Sequence, residues 1–214
     1  MKFLLTITLS LFIFSSCNDP SSSLSTENET DKFILNEEFF DNSLGWVEEN
    51  TSSHNVDISD GKYFIASLDT SDATFRSSAG SLDKSYLLGL PYSYEITSEM
   101  EFKSTDLKYA YFGIHMYSSS IQYIFSLYND KELIIEEIDY NLDTTVVLVD
   151  EFFSGNIDEP IKFKIDIEGN DFQFYLNNEK MGVGLLKCQS WQDLRLYTSK
   201  QSKITVNNLK IKEK

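Results

Sequence analysis

From residue 33 to the C-terminus, apolar and polar positions alternate with a period of two, the signature of strands with one face buried and one solvated. No long stretch repeats at the helical period of 3.6 residues, and alanines are few. The alternation predicts strands over 33–39, 55–58, 62–67, 73–77, 93–102, 109–117, 122–128, 132–138, 144–152, 161–167, 171–176, 194–197 and 204–211. Turn pairs separate several of them: Asp60-Gly61, Asn129-Asp130, Gly169-Asn170 and Asn177-Asn178, residues that accept the left-handed backbone of tight hairpins. Many short strands joined by hairpins predict an all-β fold, a two-sheet antiparallel β-sandwich or jelly roll. No internal repeat divides the stretch, so residues 33–214 are read as one domain.

The N-terminal stretch follows a different pattern. Lys2 is followed by an apolar run from Phe3 to Phe14, broken only by Thr6, Thr8 and Ser10, and then by Ser15-Ser16-Cys17. The run is about half of the ~20 residues that cross a bilayer, which suits a signal peptide better than a membrane span. Ser15-Ser16-Cys17 resembles the lipobox of bacterial lipoproteins, although Phe14 stands where the family usually has Leu. The resemblance implies a cleaved signal over 1–16, lipid attachment at Cys17 and anchorage in the cell envelope; Asn18-Asp19, with Glu27, Glu29 and Asp31, resembles acidic export signals that send some lipoproteins to the outer membrane. A plain secretory signal cut elsewhere is the alternative. Each buried CH₂ of an acyl chain contributes ~0.8 kcal/mol and one chain holds only marginally, so stable attachment takes more than one. The remainder, 17–32, reads as a Ser-rich tether; its 15 residues after Cys17 would reach roughly 20 Å as a flexible coil.

Hydrophobic residues at 41% and charged residues at 24% are enough for an ordinary core. The net charge of −16 repels phosphate backbones and anionic headgroups, which argues against nucleic-acid partners and polybasic membrane docking. Lipidation of Cys17 would leave Cys188 alone, without a disulfide partner or zinc-ligand spacing. Cys188 then reads as a small buried hydrophobe, with an exposed redox thiol as the alternative.

Phe39-Phe40-Asp41-Asn42-Ser43-Leu44-Gly45-Trp46, followed by Ile58-Ser59-Asp60-Gly61-Lys62-Tyr63, resembles the opening of bacterial concanavalin A-like (laminin G-like) domains. The hairpin from Phe163 to Asn178 and the closing stretch Ile204 to Ile211 resemble the family's late strands. The resemblance covers roughly 33–214 and implies the fold rather than a chemistry. It makes Trp46, Gly45 and Gly61 core and turn residues. Asp41 and Asn42 read as Asx-turn formers; some relatives hold calcium near the sandwich ends, which leaves Asp41 as a calcium candidate. No other cofactor is implied.

Retaining glucanases of this fold carry Glu-x-Asp-x-Glu on one strand, which puts nucleophile and acid on one face about 5–5.5 Å apart. Glu137-Ile138-Asp139 begins that motif and continues Tyr140-Asn141-Leu142 without the second Glu; Asp166-Ile167-Glu168 is preceded by Lys164. Glu137 and Asp139 are therefore read as solvent-face or turn residues, and the chain as a non-enzyme. His54 and His115 are the only histidines, and no Gly-x-Ser-x-Gly segment is present.

The most informative stretch for binding is 109–117. Alternation sends Ala110, Phe112, Ile114 and Met116 to the core and leaves Tyr109, Tyr111, Gly113, His115 and Tyr117 on the opposite face. Such rings offer flat apolar area with polar handles, suited to stacking sugars; the alternative is that they pair across strands. Tyr123, Tyr128 and Tyr140 are weaker companions, and 122–128, apolar on both faces, reads as a central strand. Arg76, mid-strand, would hold a ligand carboxylate or pair with a structural acid. The sequence thus leads to a lipid-anchored sandwich that binds a glycan or another extracellular ligand, or else meets an envelope protein partner, with a glycoside hydrolase of unrecognised site as the third reading.

Overall fold

The computed structural model describes residues 32–68, 75–78, 87, 89–105, 110–188 and 190–214. The expected lipobox with Cys17, the expected tether up to Asp31, and Tyr109 lie outside the described residues. Asp31–Lys214 forms one compact unit.

The elements are strands in two antiparallel sheets, as the alternation predicts. The larger sheet runs β13 (Glu179–Leu185), β12 (Asp171–Leu176), β11 (Ile161–Glu168), β6 (Ser93–Ser104), β15 (Ser202–Glu213), β4 (Lys62–Ser67), β3 (His54–Ser59) and β2 (Glu49–Asn50), with β1 (Phe33–Glu37) also on β15. The smaller sheet runs β10 (Thr144–Phe152), β9 (Glu132–Asp139), β8 (Ile121–Tyr128), β7 (Tyr111–Tyr117), β14 (Asp193–Thr198) and β5 (Phe75–Ser78). The fold is a β-sandwich. β7 to β10 form a meander, as do β11 to β13, while β14 and β15 place one strand in each sheet. β15 pairs with β4 through Ser202–Val206 and with β1 from Leu209 onward, the change falling at an irregularity in its pairing with β6 between Val206 and Asn208.

Two of the turn pairs take the left-handed backbone at both residues, whereas at Gly169-Asn170 only Gly169 does and after Asn129-Asp130 it is Lys131 that takes it. Asp60 and Gly61 have φ of 53° and 70°, and Asn177 and Asn178 have 49° and 68°, left-handed conformations that match the twist of two-residue hairpins. Gly45, at φ 69°, closes the turn in which its N–H donates to Asn42 O at 3.1 Å. Trp46 is buried, its ring N–H donating to Glu37 at 3.1 Å, and Glu37 also accepts the N–H of Phe39 at 2.7 Å. Trp46 and Gly61 thus take the core and turn roles expected of them.

The inward faces meet in an aromatic seam. Phe112 of β7 stacks on Phe102 of β6 at 4.4 Å, and Phe125 of β8 lies 5.3 Å from Phe174 of β12. Such pairs add about 0.5–1.5 kcal/mol beyond the area they bury. Cys188 is a free thiol packed half-buried against this core, and burial pushes its pKa up, away from the reactive thiolate.

Two strands were not expected. β2 is a two-residue pairing of Glu49 and Asn50 with Val56 and Asn55 of β3. β13 contains Gly182 and Gly184, both sites of close approach: a Cβ on Gly182 would lie 2.5 Å from Val149 of β10, and one on Gly184 would lie 2.4 Å from Phe172.

Candidate ligand-binding face

β7 sorts its side chains as the alternation predicts. Ala110, just before the strand, Phe112, Ile114 and Met116 are buried in the core, whereas Tyr111, His115 and Tyr117 stand on the outer face of the smaller sheet. Register then assembles that face from strands distant in sequence. Tyr111 lies opposite Tyr128 of β8; Gly113 lies between Tyr197 of β14 and Ser126 of β8; His115 lies between Arg195 and Ile124, and Ile124 opposite Glu136 of β9. Together these strands enclose a cavity of about 210 Å³, lined by Tyr111, Tyr128, Tyr197, His115, Ser126 and Glu136 with two isoleucines.

Gly113 makes the floor. A Cβ there would lie 1.8 Å from the Phe125 carbonyl oxygen and 3.3 Å from the Tyr197 hydroxyl. Without one, Tyr197 reaches across β7, donates to Phe125 O at 3.2 Å and lies 2.6 Å from the Ser126 hydroxyl. The walls are Tyr111 and Tyr128, with ring centroids 4.9 Å apart, and Tyr111 meets Tyr197 edge-on at 5.9 Å. Burial, reinforced by neighbouring phenols and by Glu136, pushes the Tyr128 pKa up to about 12 and holds Tyr197 well above its usual value. Both therefore stay neutral hydroxyls at physiological pH, able to donate and accept.

His115 is 1% exposed, so it belongs to the floor and not to the open surface expected of it. The Tyr140 hydroxyl donates to Gln122 Oε1, and the Gln122 amide donates to His115 Nδ1 at 3.2 Å, which puts the neutral ring's proton on Nε2. Tyr117 lies beside the cavity, 6.4 Å from Tyr140 and under the Arg195 guanidinium at 5.8 Å. Arg195 is held by Asp193 at 2.6 Å. Arg76 sits on β5 in register with Tyr197, one strand outside the cavity wall. Of the expected residues, Tyr111 and His115 line the cavity. Tyr128, a weaker candidate, is one of its walls; Tyr197, Ser126 and Glu136 complete it and were not singled out in the sequence.

Other expected residues fall elsewhere. Tyr123 points inward. Glu137, read as a solvent-face residue, is 3% exposed: it lies on the inward face of β9, accepts the Tyr123 hydroxyl at 2.6 Å and pairs with Lys187 at 2.5 Å. Asp139 is also buried, but accepts the N–H groups of Asn141 and Leu142 at 3.0 and 3.2 Å, the expected turn role. Asp166 is tied to Lys214, and His54 to Glu49 on the larger sheet. Asp41 closes an Asx turn, accepting the Ser43 N–H at 2.9 Å; its hydrogen bonds to Ser43 lower its pKa. Among the described residues no three His, Cys, Asp or Glu side chains converge to hold a metal ion. A larger cavity of about 390 Å³ opens on the larger sheet beside Asp166, Asp171, Leu185 and Lys214; Phe172, its one ring, is 1% exposed.

No family model and no curated protein matches the chain. Solved structures do. One is a chain from work on endo-acting O-glycanases that prominent members of the human gut microbiota express to initiate mucin breakdown: TM-score 0.59, 7% identity, covering 85% of this chain and 99% of that one. Another is the CBM2 module of the evolved Dit of Lactobacillus casei BL23 phage J-1, at TM-score 0.56 and 8% identity, covering 86% and 96%. A third is the GH43 protein BlXynB from Bacillus licheniformis, at TM-score 0.55 and 12% identity, covering 84% of this chain but 39% of that one. What is shared at these identities is the β-sandwich fold.

Proposed function

We propose that this chain is a non-catalytic, carbohydrate-binding β-sandwich, lipid-anchored through Cys17 to the outer membrane, that holds a sugar ring in the tyrosine-walled cavity of its smaller sheet. The observation that carries this reading is the cavity itself: tyrosine rings around a floor of hydroxyls and one imidazole. Sugars present C–H faces that pack on aromatic rings and hydroxyls that pair with buried polar groups. The likeness to a module named for carbohydrate binding supports the same reading. At about 210 Å³ the cavity is smaller than the ~300–1,000 Å³ typical of drug-sized ligands, which suits a single terminal ring. The non-catalytic reading is supported by the placement of Glu137 inside the sandwich, away from that face. It needs no cofactor, and a calcium ion at Asp41 would be structural.

Screening the purified protein on a glycan array tests this. Binding that Tyr111→Ala abolishes, with the circular-dichroism spectrum unchanged, supports the reading; sugar binding indifferent to Tyr111→Ala and His115→Ala places the ligand on another face.

One observation favours a second reading, an interaction module of an envelope complex. Val146, Val147 and Phe152 on β10, and Val183 and Leu185 on β13, are exposed along sheet edges, where strands present unpaired backbone. Here Val147→Lys would release a protein partner and leave glycan binding intact.

A further inference from the structure

The cavity contains one group that a neutral sugar does not require. Glu136, on the outer face of β9, lines it half-buried. Its carboxylate has no hydrogen bond or ion pair with any described residue. The contrast with other carboxylates is direct: Glu95 holds Lys164 at 2.6 Å, Glu101 holds Lys62 at 3.5 Å, and Glu137, its neighbour in sequence, holds Lys187. A half-buried carboxylate without a counter-charge loses hydration and gains nothing in return, unless a ligand supplies the partner.

Among the described residues, no cation of the same sheet face fills that role. Arg195 lies in Glu136's own cross-strand row, three strand steps away, which is about 14 Å at ~4.8 Å per step, and it is already bound to Asp193. Arg76 is on the strand beyond it, one step further. Acidic groups gather instead: Glu136, Glu132 and Asp130 all act on Tyr128 and help raise its pKa. The rings add to this, because their faces are negative and attract cations within about 6 Å of a ring centroid. Tyr111, Tyr128 and Tyr197 together with Glu136 thus form an aromatic cage with one anionic wall.

We infer that the ring this site takes is a hexosamine with a free, protonated amine, its ammonium group paired with Glu136 among the three tyrosines. The inference rests on the carbohydrate-binding reading and narrows it. It excludes uronic and sialic acids, which would bring a second carboxylate to Glu136. It also disfavours N-acetylated rings, whose amide carries no charge.

NMR titration of the full protein with glucosamine and galactosamine, and with their neutral parents glucose and galactose, tests it. The expected result is at least tenfold tighter binding of one amine sugar than of its parent. Glu136→Gln, close in shape, should erase that preference, whereas Glu151→Gln, an exposed carboxylate on β10, should leave it intact. Equal affinity for amine and parent, or a preference that survives Glu136→Gln, overturns the hexosamine assignment and leaves the carbohydrate reading standing. If none of the four sugars binds, the hexosamine assignment falls, and the carbohydrate reading stands or falls on the glycan array.

Discussion

The hydroxyls of Tyr197 and Ser126 lie 2.6 Å apart although their strands, β14 and β8, are separated by β7. The contact exists because the residue between them is Gly113. In Gly113→Ala the new methyl would stand 1.8 Å from the Phe125 carbonyl oxygen, closer than any van der Waals contact. Backbone must move, and the expected loss is about 1–3 kcal/mol, the range for overpacking a tight site, read as a lowered urea midpoint at unchanged m-value. Tyr197→Phe removes only the hydroxyl and should cost about 1 kcal/mol.

The raised pKa of Tyr128 makes stability depend on alkaline pH. Its ordinary value is 10.0 and its folded value about 12, so the folded state holds the phenol proton more tightly than the unfolded chain does. That contribution is fully present below pH 10 and disappears as pH rises through about 12. Absorbance titration of the phenols should show Tyr128 ionising late, and Tyr128→Phe should flatten the fall in melting temperature over that window.

Glu137 should matter to stability and not to sugar binding. Glu137→Ala leaves the buried Tyr123 hydroxyl without its acceptor and should cost about 1–3 kcal/mol, while Glu137→Gln, which keeps an acceptor oxygen, should cost less. Denaturant unfolding measures both. Affinity for a confirmed sugar should be unchanged in each variant, since Glu137 faces the interior.

The anchor has its own expected outcome. Cys17→Ser should move the protein from the membrane fraction of the producing cells to the soluble fraction and abolish incorporation of a labelled fatty acid, because lipid chains supply the attachment in this account. A protein that stays membrane-bound and labelled would refute lipidation at this cysteine.

The sequence revealed what depends on local alternation. It placed Phe112, Ile114 and Met116 in the core and Tyr111 and His115 opposite, because a strand's side chains change face at every residue. It located the hairpin at Asn177-Asn178 because few residue types accept that backbone. It missed β13 because Gly182 and Gly184 look like loop residues, while their purpose, room for Val149 and Phe172, is visible only in three dimensions. It misread Glu137 because a carboxylate on a strand is ordinarily solvated, and its partner Lys187 is far away along the chain. The cavity was half legible for the same reason. Tyr111 and Tyr128 belong to one hairpin, but Tyr197 joins them only because β14 inserts beside β7, a pairing that no short-range pattern encodes.

The most direct test of the central claim is where a sugar perturbs the backbone amide spectrum. With a sugar identified on the array, shift changes should concentrate at Tyr111, Ser126, Tyr128 and Glu136, on the outer face of the smaller sheet. Changes concentrated instead around Asp171, Phe172 and Leu185, beside the larger cavity, would contradict it.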